Sequence, residues 1–244
     1  MKQGILSVIV LLLPLIGFAQ SANEAYSAGQ FNEAAVLYEQ LIDSCGSNFE
    51  LEYNVGNSYF KAGEFASAIL HYERALRIKP GDRDARFNLR LTQTRIVDQI
   101  DPVPPFFLSK WMQGLRETQS SNAWSVWSMA FFLVFLIGVS VYFLNRRRGL
   151  RKTGFYVALL TLFVSLLSLV FARTQYLDLH NSTEAIIFTP TITIKSSPDQ
   201  SGTDLFQLHE GTKVVVLSEM GAWREIETID GNVGWIAAEH LVII

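Results

Sequence analysis

The chain has 244 residues, 49% of them hydrophobic, with 20 Lys+Arg against 23 Asp+Glu and a formal net charge of −3. Three stretches, Gln3–Ala22, Thr118–Asn145 and Thr153–Ala172, contain no Asp, Glu, Lys or Arg, while the sequence between them is of ordinary soluble composition. This sorting excludes a disordered acidic chain, a single soluble globule and a transporter core with many spans. Asn145–Arg173 carries six basic and no acidic residues, and Thr174–Ile244 three basic and ten acidic. A nucleic-acid binder needs a basic face on a folded domain, and this distribution offers none. Cys45 is the single cysteine, so no internal disulfide forms and the soluble parts must hold by packing.

Residues 1–19 read as a secretory signal peptide. Lys2 precedes an apolar run from Ile5 to Phe18, and Gly17 and Ala19 are the small residues of a cleavage site before Gln20. Residues 20–100 then show an internal period of 34. Ala28/Ala62, Gly29/Gly63, Phe31/Phe65, Ala34/Ala68, Tyr38/Tyr72 and Glu39/Glu73 are identical, and Asn54 matches Asn88. That period and the set Gly56, Tyr59, Ala68, Tyr72, Ala75 and Pro80 resemble the tetratricopeptide repeat (TPR). Small residues let paired helices approach, the tyrosines fill between them, and Pro80 ends the second helix. The Trp usual near the start of a unit is Glu52 here. The first unit lacks most of its first helix, and Asp82–Ile100 is expected to close the array. So short an array is marginal, and it is expected to lean on the membrane, a partner or its own dimer. Asn54, Asn57, Lys61, Asn88 and Arg95 are the inner-face groups that would hydrogen-bond an extended peptide. Carboxylate-gripping repeats have Lys where this chain has Tyr53.

Residues 101–122 follow: a proline-rich linker, Asp101–Pro105, then Phe107, Leu108, Trp111, Met112 and Leu115 at helical spacing. This pattern fits an amphipathic helix in the membrane interface, or one packed on the repeats. Residues 123–144 and 154–172 each have about the 20 apolar residues that a bilayer core requires, so both are expected to be spanning helices. The turn between them, residues 145–153, carries Arg146, Arg147, Arg148, Arg151 and Lys152, which place it on the cytoplasmic side. Both flanking soluble parts then lie outside the cytoplasm. Neither span holds an ionisable residue, so no ion pathway is indicated.

Residues 184–244 show short alternating strands with glycine turns, the pattern of a small all-β barrel or sandwich. Pro198, Gly211, Trp223, Gly231 (in Asp230-Gly231), Gly234 and Trp235 resemble the bacterial SH3 (SH3b) domain. Trp223 and Trp235 are expected to pack in the core and at its rim. No Tyr occurs in this segment, which disfavours a proline-ligand groove. The four histidines, His71, His180, His209 and His240, show no metal-ligand spacing. No phosphate loop or GxSxG is present, and no catalytic, metal or cofactor residue is assigned.

The whole order, together with Thr189-Pro190-Thr191, Ser201–Asp204 and Leu208–Lys213, resembles the BatE family of bacterial aerotolerance (Bat) operons. The resemblance implies a multidomain protein of TPR repeats, transmembrane hairpin and SH3-like barrel, lying in the inner membrane with both soluble parts in the periplasm. It implies a non-enzymatic adaptor whose partners are Bat-type von Willebrand A proteins alongside a MoxR-type ATPase. The alternative is a cell-wall sensor whose SH3b domain binds peptidoglycan.

Overall fold

The computed structural model describes residues 19–99, 106–180 and 183–244. The signal-peptide reading falls almost wholly outside the described residues, as does the linker Asp101–Pro105.

Five helices build the repeat: α1 over residues 19–27, α2 (Phe31–Cys45), α3 (Phe49–Ala62), α4 (Phe65–Ile78) and α5 (Arg83–Gln93). Their ends follow local chemistry. The Asn48 side chain accepts the Leu51 N–H at 2.9 Å, capping α3. Gly63 ends α3 in the left-handed region at φ 88°, where its N–H reaches back to Tyr59 and Phe60. Asp82 caps α5. The helices meet as the repeat pattern requires. Ala68, Tyr72 and Ala75 are fully buried, and a Cβ on Gly56 would lie 2.7 Å from the Tyr72 ring.

Helix α5 ends at Gln93, short of the expected Ile100. The Thr92 and Thr94 hydroxyls bond back to the Asn88 and Leu91 carbonyls, and β-branched Ile96 and Val97 follow. The Ile96 and Asp98 side chains instead pack on and bond to the C-terminal sheet.

That sheet is antiparallel, with strands β1 (Glu184–Ile187), β2 (Thr191–Lys195), β3 (Asp204–His209), β4 (Lys213–Met220), β5 (Trp223–Thr228), β6 (Val233–Ala237) and β7 (Leu241–Ile243) in the order β3-β2-β6-β5-β4-β1-β7. In a flat sheet β3 and β4 would stand about 19 Å apart. Only Glu210, Gly211 and Thr212 join them, a reach of about 14 Å. The sheet therefore curls, and Ile187, Ile194, Leu208, Val214, Ile226 and Ile236 share one aliphatic core.

The repeat and the sheet form one compact unit. Ile186 of β1 is fully buried in the cluster that holds Ile69, Leu70 and Tyr72 of α4, with Ile96, Phe188 and Ile244 packed around it. The marginal array leans on the chain's own C-terminal domain, a partner the sequence reading did not name.

The second unit comprises α6 (Phe107–Arg116), α7 (Ser121–Leu144) and α8 (Arg148–His180). Helices α7 and α8 are both long and apolar enough to cross a membrane. They meet through small residues. A Cβ on Gly154 would lie 2.9 Å from the Gly138 oxygen, and Ser128 and Ser165 each donate to the other's carbonyl, at 3.0 and 2.9 Å. The loop is shorter than the expected 145–153. Helix α8 begins at Arg148, with Gly149 tolerated in its first turn, and its cations remain exposed on the first turns.

Candidate interaction surfaces

The expected groove residues divide into two sets. Asn57 and Asn88 are committed to an internal network. Tyr72 Oη donates to Asn57 Oδ1 at 2.8 Å, and Asn88 Nδ2 reaches Asn57 Oδ1 at 2.9 Å and Tyr53 Oη at 3.1 Å. Lys61 and Arg95 are exposed, and Asn54 is half-buried. Phe49 stacks on Tyr53 at 5.8 Å, and Phe87 is 59% exposed. The face thus offers an aromatic shelf with two exposed cations, and its amides mainly hold the helices together.

A buried ionic cluster, which the sequence reading missed, lies between α2, α3 and α4. His71 Nδ1 donates to Glu52 Oε2 at 2.7 Å, and Nε2 faces Glu39 Oε1 at 3.3 Å. Ser47 donates to Glu52 at 2.6 Å and Tyr59 to Glu39 at 2.9 Å. Both ring nitrogens face acceptor-only carboxylates, so the imidazole is a cation. Burial pushes the His71 pKa down, but the bonds to Glu39 and Glu52 outweigh it and raise the pKa. Burial likewise pushes Glu52 up, and His71 and Ser47 together bring it below the usual carboxylate range. The clue in the sequence was the replacement of the usual Trp by Glu52. A carboxylate at a core position demands a cation, and His71 lies 19 residues on.

The joint between repeat and sheet is the second feature the sequence did not reveal. Lys213 Nζ lies 3.0 Å from both Glu73 and Glu184, and Arg77 bonds Glu184 at 2.8 Å. Arg74 and Arg77 donate to the main-chain oxygens of Ile243 and Ile244 at 3.1 and 2.7 Å. Burial lowers the Lys213 pKa, but Glu73 and Glu184 more than reverse this. At the other end of the joint, Asp98 accepts the His209 N–H at 2.6 Å, His209 Nδ1–H at 2.8 Å and the Thr212 hydroxyl at 2.8 Å.

The expected SH3b positions lie in the turns, loops and strands of the sheet. Pro198 sits half-buried after β2. Gly211 and Gly231 turn the chain at φ 84° and 88°. Gly211 also meets Ile96, where a Cβ would come within 2.6 Å. Gly234 is buried, with Lys195 O 3.0 Å from where a Cβ would stand. Trp223 and Trp235 stay out of the aliphatic core. Both are half-buried on the face of the sheet opposite Ile226 and Ile236. Strand alternation explains this, since Trp235 lies between inward Gly234 and Ile236.

Among the five cations of the hairpin turn, Arg146 and Arg147 precede α8, and Arg148, Arg151 and Lys152 begin it. Arg151 lies over the Tyr142 ring at 5.1 Å. At the opposite end of the hairpin, Arg116 bonds Asp178 at 2.9 Å, and Trp124 and Gln175 donate to the Arg116 carbonyl. These bonds tie the end of α6 to the hairpin. Phe107, Leu108 and Trp111 remain 73%, 49% and 61% exposed. Among the described residues, no group of three or more His, Cys, Asp or Glu is placed to hold a metal. Cys45 ends α2, exposed, with its thiol on the Leu41 carbonyl.

Two family models match this arrangement. Residues 190–242 match the bacterial SH3 domain, and residues 49–82 match the tetratricopeptide repeat. The chain therefore holds TPR-like helices, two long apolar helices and an SH3-type sheet. Both matched families are interaction modules. No curated protein matches the chain.

Proposed function

We propose that the protein is a non-enzymatic adaptor, anchored in the inner membrane by α7 and α8, that presents its TPR–SH3b body to partner proteins in the periplasm. The observation that carries this reading is the single body formed by two interaction modules, joined in sequence to an apolar hairpin with a cationic turn. The cationic turn supports a cytoplasmic loop, with α6 and both modules on the far side. The exposed Phe107, Leu108 and Trp111 support α6 lying in the interface plane. Residues 1–19 act as the export signal. Resemblance to the BatE family supports Bat-type von Willebrand A proteins as partners, beside a MoxR-type ATPase, within a stress-tolerance complex.

The test is affinity purification of the full chain in mild detergent. Recovery of von Willebrand A membrane proteins supports the adaptor, and a chain recovered alone under every condition refutes it. Incubating the same preparation with purified sacculi decides the alternative. Retention on sacculi would make the protein a cell-wall sensor instead.

A further inference from the structure

The β3–β4 turn does more than link two strands. It converges three donors on one point: the His209 N–H, the His209 Nδ1–H and the Thr212 hydroxyl. All three bond a single carboxylate, that of Asp98, at 2.6, 2.8 and 2.8 Å. Gly211 supplies the turn at φ 84°, and its lack of a Cβ leaves room for Ile96 two residues before Asp98. The Asp98 carboxylate arrives on non-helical chain, after α5 has ended. It only partly fills the crevice it enters. A cavity of about 370 Å³ remains on one side, lined by Arg90, Gln93, Gly211 and Thr212 among others. A second of about 370 Å³ remains on the other, between Val97–Gln99, β3 and Asp230–Asn232.

We propose that the β3–β4 turn is a carboxylate-binding notch for an aspartate carried on non-helical chain, and that residues 96–99 are its resident ligand. Charge-assisted bonds from three fixed donors select an acidic side chain over a neutral one. The surrounding residues 174–244 are net acidic, so long-range attraction does not recruit the ligand. Recognition is short-range, and an isolated acidic peptide binds weakly. The resident segment prevails because it is tethered, at an effective concentration of order millimolar. While it is bound, repeat and sheet stay closed at this end. An acidic segment from a partner enters only where it too is held nearby. The inference concerns this notch alone and stands whether or not the adaptor reading holds.

The probe is a capped, fluorescently labelled peptide, Thr-Arg-Ile-Val-Asp-Gln, copying residues 94–99, added to the full chain in detergent. D98A is expected to bind it at least tenfold more tightly than the wild type, whose notch is occupied. The peptide with Asn in place of Asp should bind D98A at least tenfold more weakly than the Asp form. Equal binding to wild type and D98A, no binding to either, or indifference to the Asp-to-Asn change overturns the proposal. Should D98A fail to fold, T212V decides. It keeps the resident segment but removes one donor, so the His209 amide, which donates to Asp98, should exchange hydrogen about tenfold faster while β5 and β6 are unchanged. Unaltered exchange there refutes the notch.

Discussion

Replacing His71 with Leu tests the buried cluster quantitatively. The variant leaves Glu52, 2% exposed, with Ser47 as its hydrogen-bonding side chain among the described residues, and Arg74 acting on it only at longer range. A bare carboxylate in that position takes a proton rather than remain charged. The cost is that of protonating a group whose unfolded pKa is about 4.3, at about 1.4 kcal/mol per pH unit. This gives about 3 kcal/mol at pH 6.5 and about 1 kcal/mol at pH 5. The wild type is nearly flat across this window. Its raised His71 pKa keeps the histidine contribution whole below about 6.5. Its lowered Glu52 pKa keeps the carboxylate contribution whole above about 4.3. The variant's Glu52 has the opposite shift, so its stability falls as pH rises. Hydrogen exchange of the α3 and α4 amides reads this locally, without requiring two-state unfolding of a membrane protein. Exchange should accelerate about a hundredfold at pH 6.5 and about fivefold at pH 5, after correction for intrinsic rates. E52L/H71L removes charge and partner together and should restore most of the protection. A single variant with the same acceleration at both pH values, or a double variant no slower than the single, refutes the reasoning.

Three further outcomes are expected. K213M removes the cation 3.0 Å from Glu73 while Glu184 keeps Arg77, at a cost of about 2 kcal/mol; exchange should rise in α4 and β1 together, with α7 and α8 unchanged. G154V places side-chain atoms against the Gly138 carbonyl, so the hairpin should open at a lower SDS fraction, by about 1–3 kcal/mol. Reversing the turn charges with R146E/R147E/R148E should abolish a fixed orientation. A phosphatase fused after Ile244, active only outside the cytoplasm, should then lose most of its signal, and an unchanged signal counts against the topology.

What the sequence made legible was local or periodic. The second repeat could be read from Gly56, Tyr72 and Pro80 because each acts within one helical pair. The strands could be read from alternation and from turns such as Asp230-Gly231. The tryptophans show where this fails. Their size argues for a core, but position parity along β5 and β6 turns them outward. The groove amides likewise read as ligand contacts by residue type, while Asn57 and Asn88 bond each other across 31 residues. The joint was illegible for a stronger reason. Arg77 and Glu184 stand 107 residues apart, Asp98 and His209 111, and Lys213 and Glu73 140. No spacing rule reaches that far, and an exposed-looking Lys or Arg in a strand or helix carries no mark of its distant partner.

Because one body is assembled from stretches before and after the hairpin, its completion is tied to the timetable of synthesis. Helix α4 leaves the ribosome about 160 residues before strand β7. At about 5–20 residues per second the delay is roughly 10–30 s. For about the first 110 residues of that stretch Ile69 lacks the cover of Ile186, and until β7 is made the early helices wait as an unfinished half. A chain stalled or cut within the hairpin would thus leave a sticky fragment for quality control, not a smaller working module.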